Sequence, residues 1–386
     1  MPGNKKLIID TDGVADDVRA ISLALQSPNV QASPVLAITT VRGVINVDQV
    51  VTNISRTLRA NKAKVRCLVP IYKGAFEPLV AVTGSEVDES FFFGKDGIGD
   101  KPNDFPAVTA DDRENYDKTM PASLALTKLL KQHNDVTLVC LVFLCGRVIS
   151  YWVYVGVTHS IKSLILLTFD RSLSICQEAV FLGPLTNIAL ALKLDKEFAS
   201  LPKEVYIMGG NLYGIGNMRS EHTSEFNFGN DPEAAYIVLS KMQCPVTLIP
   251  WEAFYFESEK PHQEIDFHAH LSLGTPLANY FSTVTSLGRA VLQKNNRQFA
   301  FCDEIAVAAA IDDQTVIKES KQLRASVELA GYHTRGQVAC DWTEQLFNNE
   351  DLEHKIDRRR KPIRFVVSYN VRIVNRMITD AVQNLS

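Results

Sequence analysis

The sequence predicts a single α/β domain with an open, mostly parallel central sheet flanked by helices. Apolar runs alternate with helical patterns from the start of the chain: strands at 7–9 and 35–41, and helices from Val18 onward and at 47–59. Parallel strands need crossover connections of this kind. The 386 residues are 46% hydrophobic and 22% charged, which suits one large core, and α/β folds of this length often form one domain, here 1–386.

The rest of the chain continues the alternation. Further strands are predicted at 64–69, 135–141, 204–208 and 246–249, and helices at 122–132, from Gly183 to Leu194, and from Asp231. Pro232 at the first helical position supports the last of these helices. Beyond Pro261 the pattern is mainly helical to about Asp312, and 322–374 mixes strands with a basic run at 358–361, which is interpreted as a solvated face. Three phenylalanines at 91–93, beside a glycine-rich turn, either line a pocket or fill the core, and core filling is the favoured interpretation.

Composition limits the function classes. The net charge of −4 and the pI of about 6.1 predict no binding to nucleic acid or to an anionic membrane. The seven cysteines form no CxxC pair, so they are expected to be reduced thiols of a cytosolic or nuclear protein. The first strand follows Met1 so closely that no signal peptide is expected, and a cytoplasmic location is predicted.

Four carboxylates follow the first predicted strand within eight residues: Asp10, Asp12, Asp16 and Asp17. They lie where a strand ends and a helix begins, which is the ligand-binding edge of open α/β sheets. Carboxylates this close repel one another, and a hard divalent cation such as Ca²⁺ or Mg²⁺ would relieve the repulsion. The alternative is that Asp16 and Asp17 only complement the helix N-terminus, which accounts for two of the four acids.

Four motifs carry a resemblance to a known family. They occur in this order: Asp10-Thr11-Asp12 with Asp16-Asp17, Gly183-Pro184-Leu185-Thr186-Asn187, Glu225-Phe226-Asn227 with Asp231-Pro232-Glu233-Ala234-Ala235, and Cys302-Asp303-Glu304-Ile305-Ala306-Val307-Ala308. The chain resembles the inosine/uridine-preferring nucleoside hydrolase family. The stretch Phe93-Gly94-Lys95-Asp96-Gly97-Ile98-Gly99-Asp100 is also similar to the family. The resemblance implies a Rossmann-like fold and hydrolysis of ribonucleosides to ribose and free base.

The family's roles carry over residue by residue. The resemblance implies that Ca²⁺ is bound by Asp12, Asp17, Asp303 and the backbone carbonyl of Leu182. Asp16 matches the general base that activates a metal-bound water. Asn217, Glu225 and Asn227 match the residues that hold the ribose. The resemblance further implies a homodimer or homotetramer, with a small nucleoside as the binding partner. A general base and a cation that activates water suit cleavage of an N-glycosidic bond through an oxocarbenium-like sugar.

Two positions depart from the family pattern. Val44 follows Gly43 where the family usually has asparagine, and Asn46 lies two residues away. The loss of that amide predicts a weaker hold on the ribose. Cys302 stands where the family often has histidine, and it is interpreted as a small buried thiol. Leaving-group activation is therefore unassigned, with His222 in the polar loop as a conceivable substitute.

A third departure is the segment 142–181, which is apolar, aromatic and poor in charge. Its deletion would join Leu141 to Leu182, directly before Gly183, and restore the continuous strand-to-helix turn of the family. We predict a translated intron or a gene-model artefact, with a genuine lineage-specific insertion as the alternative. Its longest uncharged run, 148–158, is too short to span a membrane.

Two other functions remain open from the sequence. The start Ile8-Ile9-Asp10-Thr11-Asp12 also resembles haloacid dehalogenase-type phosphatases, in which Asp10 would be the nucleophile and Asp12 the acid/base in a Mg²⁺-dependent reaction. The other function is a catalytically impaired relic that binds ribosides without cleaving them, which Val44, Cys302 and the anomalous segment favour.

Overall fold

The computed structural model describes residues 5–27, 35–61, 69–80, 90–138, 176–181, 183–218, 222–259, 265–294, 296–345 and 360–383. The strands are β1 Lys5–Thr11, β2 Val35–Thr40, β3 Ile71–Lys73, β4 Cys176–Phe181, β5 Glu204–Met208, β6 Val246–Ile249, β7 Ile317–Leu323, β8 Ala325–Val327, β9 Val338–Cys340 and β10 Ile363–Tyr369. The helices are α1 Ala15–Gln26, α2 Val47–Ala60, α3 Ser90–Phe93, α4 Ala122–Leu138, α5 Thr186–Leu194, α6 Phe226–Asn230, α7 Pro232–Lys241, α8 Trp251–Glu259, α9 Pro276–Val284, α10 Ser286–Lys294, α11 Asp303–Ile311, α12 Asp313–Val316 and α13 Val371–Gln383.

Eight strands form the main sheet in the order β3-β2-β1-β4-β5-β6-β10-β7. Neighbouring strands run parallel except β7, which pairs antiparallel with β10 at one edge. The chain leaves β1 toward β2 on one side and later returns to β4 on the other. The gap beyond the ends of β1 and β4 is therefore the point where the strand order reverses, which is where ligands bind in such sheets.

Successive residues of β1 supply the cores on the two faces of the sheet. Leu7 and Ile9 pack with α1, α2, α9, α11 and α13, whereas Ile8 packs with α4, α5 and α7. This alternation follows from the two-residue period of a strand. Because both faces are covered, β1 is apolar from Leu7 to Ile9, and the predicted fold class is confirmed.

Two local predictions differ from the structure, and a third lies almost wholly outside the described residues. Residues 135–138 belong to α4 rather than to a strand, and the place beside β1 is taken by β4. The predicted strand at 64–69 lies almost wholly outside the described residues, and the strand next to β2 is β3. Arg360 of the basic run is buried: it donates to the Ala325 carbonyl, and its guanidinium lies 5.0 Å from the Tyr236 ring centroid.

Within the described part of the chain, none of the helices combines the length and the apolar character that a membrane crossing requires.

Candidate active site

The end of β1 leads into a tight turn that holds Asp17 close to the end of the strand. Gly13 has φ +65°, a conformation that favours glycine, and its N–H donates to Thr11 Oγ1 at 3.0 Å. The Thr11 hydroxyl in turn donates to Asp17 Oδ1, and the Val14 N–H donates to Asp17 Oδ2 at 3.1 Å. Asp17 is thus held at the start of α1, close to the end of β1.

Asp12 is held by the loop after β2. The Val44 N–H donates to Asp12 Oδ2 at 3.2 Å. This approach requires a glycine at position 43, because a Cβ there would lie 1.9 Å from the same oxygen. Val44 therefore contributes its backbone to the site although its side chain is apolar. Asn46 supplies no second contact of this kind, since its Oδ1 accepts from the Gln49 N–H at 2.9 Å and caps α2.

Asp303, the first residue of α11, meets the N-terminal acids across a shared cavity of about 180 Å³. Asp12, Asp16, Asp17 and Asp303 all line this cavity. Ligand atoms of Asp16, Cys302 and Asp303 lie within 4.8 Å of one another. Residues almost three hundred positions apart thus line one cavity, and the close group contains Asp303 but neither Asp12 nor Asp17, the other predicted side-chain ligands.

Burial and mutual repulsion both disfavour the charged forms of these carboxylates. Burial raises the pKa of Asp12 to about 7, and the charge of Asp16 contributes to the rise. Burial, followed by repulsion between the acids, also raises the pKa values of Asp17 and Asp303 well above their ordinary range. Burial raises the pKa of Asp16, and the guanidinium of Arg19 opposes that rise.

These carboxylates fit a hard divalent cation. Among the described residues that line the cavity there is no lysine, arginine or histidine to neutralise them. The donor set consists mainly of carboxylate oxygens, which Ca²⁺ and Mg²⁺ prefer. Asp16 Oδ1 is buried and has no hydrogen-bond partner among the described atoms. Leu182, whose carbonyl was predicted as a further ligand, lies outside the described residues.

The opposite wall of the cavity is polar. Glu225 accepts from the N–H groups of Asn227 and Gly210, each at 2.8 Å, and burial raises its pKa to about 7. Asn217 accepts from the Phe226 N–H at 2.7 Å through Oδ1. Asn217, Glu225 and Asn227 all line the cavity, so the three residues predicted to hold the ribose lie together.

Asp10 and His222 lie elsewhere. Asp10 is fully buried and accepts from Thr39 Oγ1 at 2.5 Å and from Asn187 Nδ2 at 2.8 Å. It is not among the cavity-lining residues, whereas Val44 and Cys302 are. His222 is also absent from the described lining, and its ring lies 5.9 Å from that of Tyr332.

The sequence analysis missed the aromatic part of the wall. Seven aromatic or apolar side chains line it: Met208, Phe92, Phe93, Phe226, Trp251, Phe254 and Phe299. For Phe92 and Phe93 the favoured interpretation of core filling is wrong, and the alternative that they line a pocket holds. Trp251 could have been found, because it lies two residues beyond the end of β6 and so at the ligand-binding edge of the sheet.

Glu252 was also missed. Its side chain is 2% exposed and accepts from three N–H groups of one loop: Leu212 at 2.9 Å, Tyr213 at 2.8 Å and Ile215 at 3.1 Å. The loop that these bonds hold leads to Asn217. Glu252 adjoins Trp251, so the start of α8 supports both the aromatic wall and the polar loop.

Fold and cavity together define a class: an open α/β protein with an acidic cation site that faces a polar and aromatic wall across a cavity for a small molecule. The sequence matches the family described as inosine-uridine preferring nucleoside hydrolase over residues 7–145 and 169–375. The chain belongs to this family, and the resemblance is confirmed. The phosphatase alternative is wrong, because Asp10, its expected nucleophile, does not open to the cavity.

Named relatives support the same assignment. The chain is 29% identical to uridine nucleosidase 1 of Arabidopsis thaliana, over 61% of this chain and 54% of that protein, so it spans about half the length of this relative. It is 26% identical to the inosine-uridine preferring nucleoside hydrolase of Leishmania major over 88% of each chain. Among solved structures, an inosine-guanosine nucleoside hydrolase superposes with a TM-score of 0.75 at 26% identity, over 98% of this chain and 99% of the other.

Proposed function

We propose that the protein hydrolyses the N-glycosidic bond of ribonucleosides to ribose and free base in a Ca²⁺-dependent reaction. The observation that carries the proposal is the single cavity lined on one side by Asp12, Asp16, Asp17 and Asp303 and on the other by polar residues. The family match and the names of the relatives, uridine nucleosidase and inosine-uridine preferring nucleoside hydrolase, supply the substrate class.

Asp12, Asp17 and Asp303, together with the carbonyl of Leu182, would hold the cation. The buried and mutually repelling carboxylates support this role, because an added dication would compensate their charge. When bound, the cation would lower the pKa of water and orient it.

Asp16 is proposed as the general base. Its Oδ1 has no partner among the described atoms, so it can accept a proton from the attacking water. The water oxygen forms the new bond to the anomeric carbon while the C–N bond breaks. The electron pair of the C–N bond leaves with the nitrogen of the nucleobase, and a proton then neutralises that nitrogen. Asp16 therefore has to be ionised at the start of the reaction.

Glu225, Asn217 and Asn227 are proposed to hold the sugar. Asn217 uses its Oδ1 for the Phe226 N–H, which leaves its Nδ2 as a donor for a ribose oxygen. Fixing the ring in this way lowers the entropic part of the barrier. The rings of Phe92, Trp251 and Phe299 offer stacking surfaces for a planar base.

The direct test is release of free base from inosine and from uridine, with Ca²⁺ present and after treatment with a chelator. We expect release that requires the cation and that disappears in Asp16→Asn. Binding of a nucleoside, measured by calorimetry, without any release would instead support the riboside-binding relic, to which Val44 and Cys302 point.

The segment 142–181 is still proposed to be a translated intron or gene-model artefact. The family match omits residues 146–168, which supports an anomaly there. The last six residues of the segment form β4, between β1 and β5. If the segment is absent from the natural protein, the apolar run 136–141 has to take that strand position.

Sequencing of the mature transcript tests this proposal, together with expression of the chain with and without 142–181. We expect the codons to be absent from the message and the shortened protein to fold and release base. Their presence in the message, with a shortened protein that does not fold, would contradict the artefact and support a genuine insertion.

We further propose a cytoplasmic homodimer or homotetramer whose binding partner is the nucleoside alone, without nucleic acid or membrane. The net charge of −4 supports the expectation for nucleic acid. Light scattering of the purified protein at micromolar concentration tests the oligomeric state, and a monomeric mass would contradict it.

A further inference from the structure

A buried ion pair lies directly behind the acids. Arg19 follows Asp16 by one turn of α1, and Glu304 follows Asp303 in α11. Arg19 Nη2 lies 2.6 Å from Glu304 Oε1, and the two side chains are 1% and 0% exposed. Neither residue lines the cavity, so neither contacts the substrate.

Each partner also has a second contact with the site. Glu304 Oε2 accepts from the Cys302 N–H at 2.8 Å, which fixes the backbone on the N-terminal side of Asp303. The Arg19 guanidinium lies 4.4 Å from the ring centroid of Phe299, which lines the cavity. The pair therefore joins the helix with Asp16, the helix with Asp303 and one ring of the aromatic wall.

Stability alone does not account for such a pair. Removing two charges from water is costly, and replacing a buried ion pair with apolar residues is often neutral or stabilising. Beside the pair, Val18 of α1 and Ile305 and Ala308 of α11 lie in one apolar core. A methionine and a leucine at positions 19 and 304 would continue that core.

We infer that Arg19 and Glu304 are positioning residues that fix Asp16 relative to Asp303 across the interface of α1 and α11. The inference rests on the proposed function, because it concerns the distance between the proposed base and a proposed cation ligand. A displacement of about 1 Å at a reacting group can lower a rate about a hundredfold, and supporting contacts around metal ligands typically contribute about 10–100-fold in affinity or activity.

The test is the double variant Arg19→Met with Glu304→Leu, which leaves neither charge unpaired. We expect its Tm to change little, because removal of a buried ion pair is often stabilising and offsets the loss of the Cys302 N–H bond, which costs about 1–3 kcal/mol. We expect Ca²⁺ affinity, measured by calorimetry, to fall about tenfold, and kcat for base release to fall at least about tenfold with KM within about threefold. The matched control is Arg335→Met with Glu233→Leu, which removes a half-buried pair of 2.8 Å remote from the cavity and should leave both values unchanged.

Wild-type Ca²⁺ affinity and kcat in a folded double variant would overturn the inference. If the double variant does not fold, Glu304→Asp decides, because it keeps both charges and shortens the reach by one methylene. Weaker Ca²⁺ binding and lower kcat at an unchanged Tm then support the inference, and wild-type values refute it. Wild-type protein that releases no base from any nucleoside refutes the proposed function instead, which separates the two failures.

Discussion

The two ends of the cavity are held together in different ways. At the acid end, Asp17 is bonded to Thr11 and Val14, residues at most six positions away. At the opposite end, Glu252 bonds a loop about forty positions away, and the Asn211 amide accepts from the Val338 N–H across 127 positions. The bonds of Asp17 can be anticipated from a short stretch of sequence, whereas those of Glu252 and Asn211 exist only once the whole sheet has formed.

The acid end should dominate the chemical step. Asp16→Asn keeps the shape of the side chain and removes its basicity, so kcat should fall by about 10²–10⁴ while KM changes little. Steady-state base release measures both constants. Asp48→Asn is the control, because Asp48 is 73% exposed and pairs with Lys73 outside the cavity. Equal kcat values for the two variants would show that Asp16 is not the general base.

The opposite end should act through binding. Glu252→Gln replaces one acceptor oxygen with an NH₂ group and leaves at least one buried loop N–H unpaired, at a cost of about 1–3 kcal/mol. We expect KM for the nucleoside to rise about tenfold with kcat within about threefold. Glu233→Gln, at a half-buried carboxylate remote from the cavity, should change neither. A fall in kcat at constant KM would contradict the assignment of substrate binding to this end of the cavity.

Val44 lines the cavity beside Asp12, and its replacement should have a smaller effect. Val44→Asn keeps the backbone bond to Asp12 and adds an amide that can reach the ribose. One recovered hydrogen bond of about 0.5–1.5 kcal/mol should lower KM by about two- to tenfold. Affinity measured by calorimetry and turnover measured by base release should both improve, and unchanged values would count against a weakened hold on the sugar.

The smallest expected effect concerns stability and pH. Burial raises the pKa of Glu225 from an ordinary value near 4.5 to about 7. Its contribution to stability is therefore full below about pH 4.5 and is lost as the pH rises through 7. In chelator-treated protein, Tm should fall by about 2–4 °C more between pH 5 and pH 8 in the wild type than in Glu225→Gln. Parallel Tm profiles would contradict this assignment.

The site residues that could be predicted from the sequence are those marked by a local motif. Asp12, Asp16 and Asp17 are visible because they follow an apolar strand at once, and Asp303 because the resemblance includes its motif. Phe254, Phe299 and Glu252 carry no local signal, since their roles depend on which loops meet above the sheet.

The errors in the fold prediction have a related cause. The apolar run at 135–141 suits a buried strand and a buried helix equally well, and α4 extends to Leu138. The run 135–141 and β4 compete for the place beside β1 in the sheet. Hydrophobic periodicity alone does not show which of the two segments takes it.

Position 43 offers a way to alter the cation site without changing any charge. Because the space that a Cβ would need is already filled by the Asp12 carboxylate, even an alanine would push a proposed ligand aside. The sensitivity of this site to mutation therefore extends to a residue that has no functional group at all.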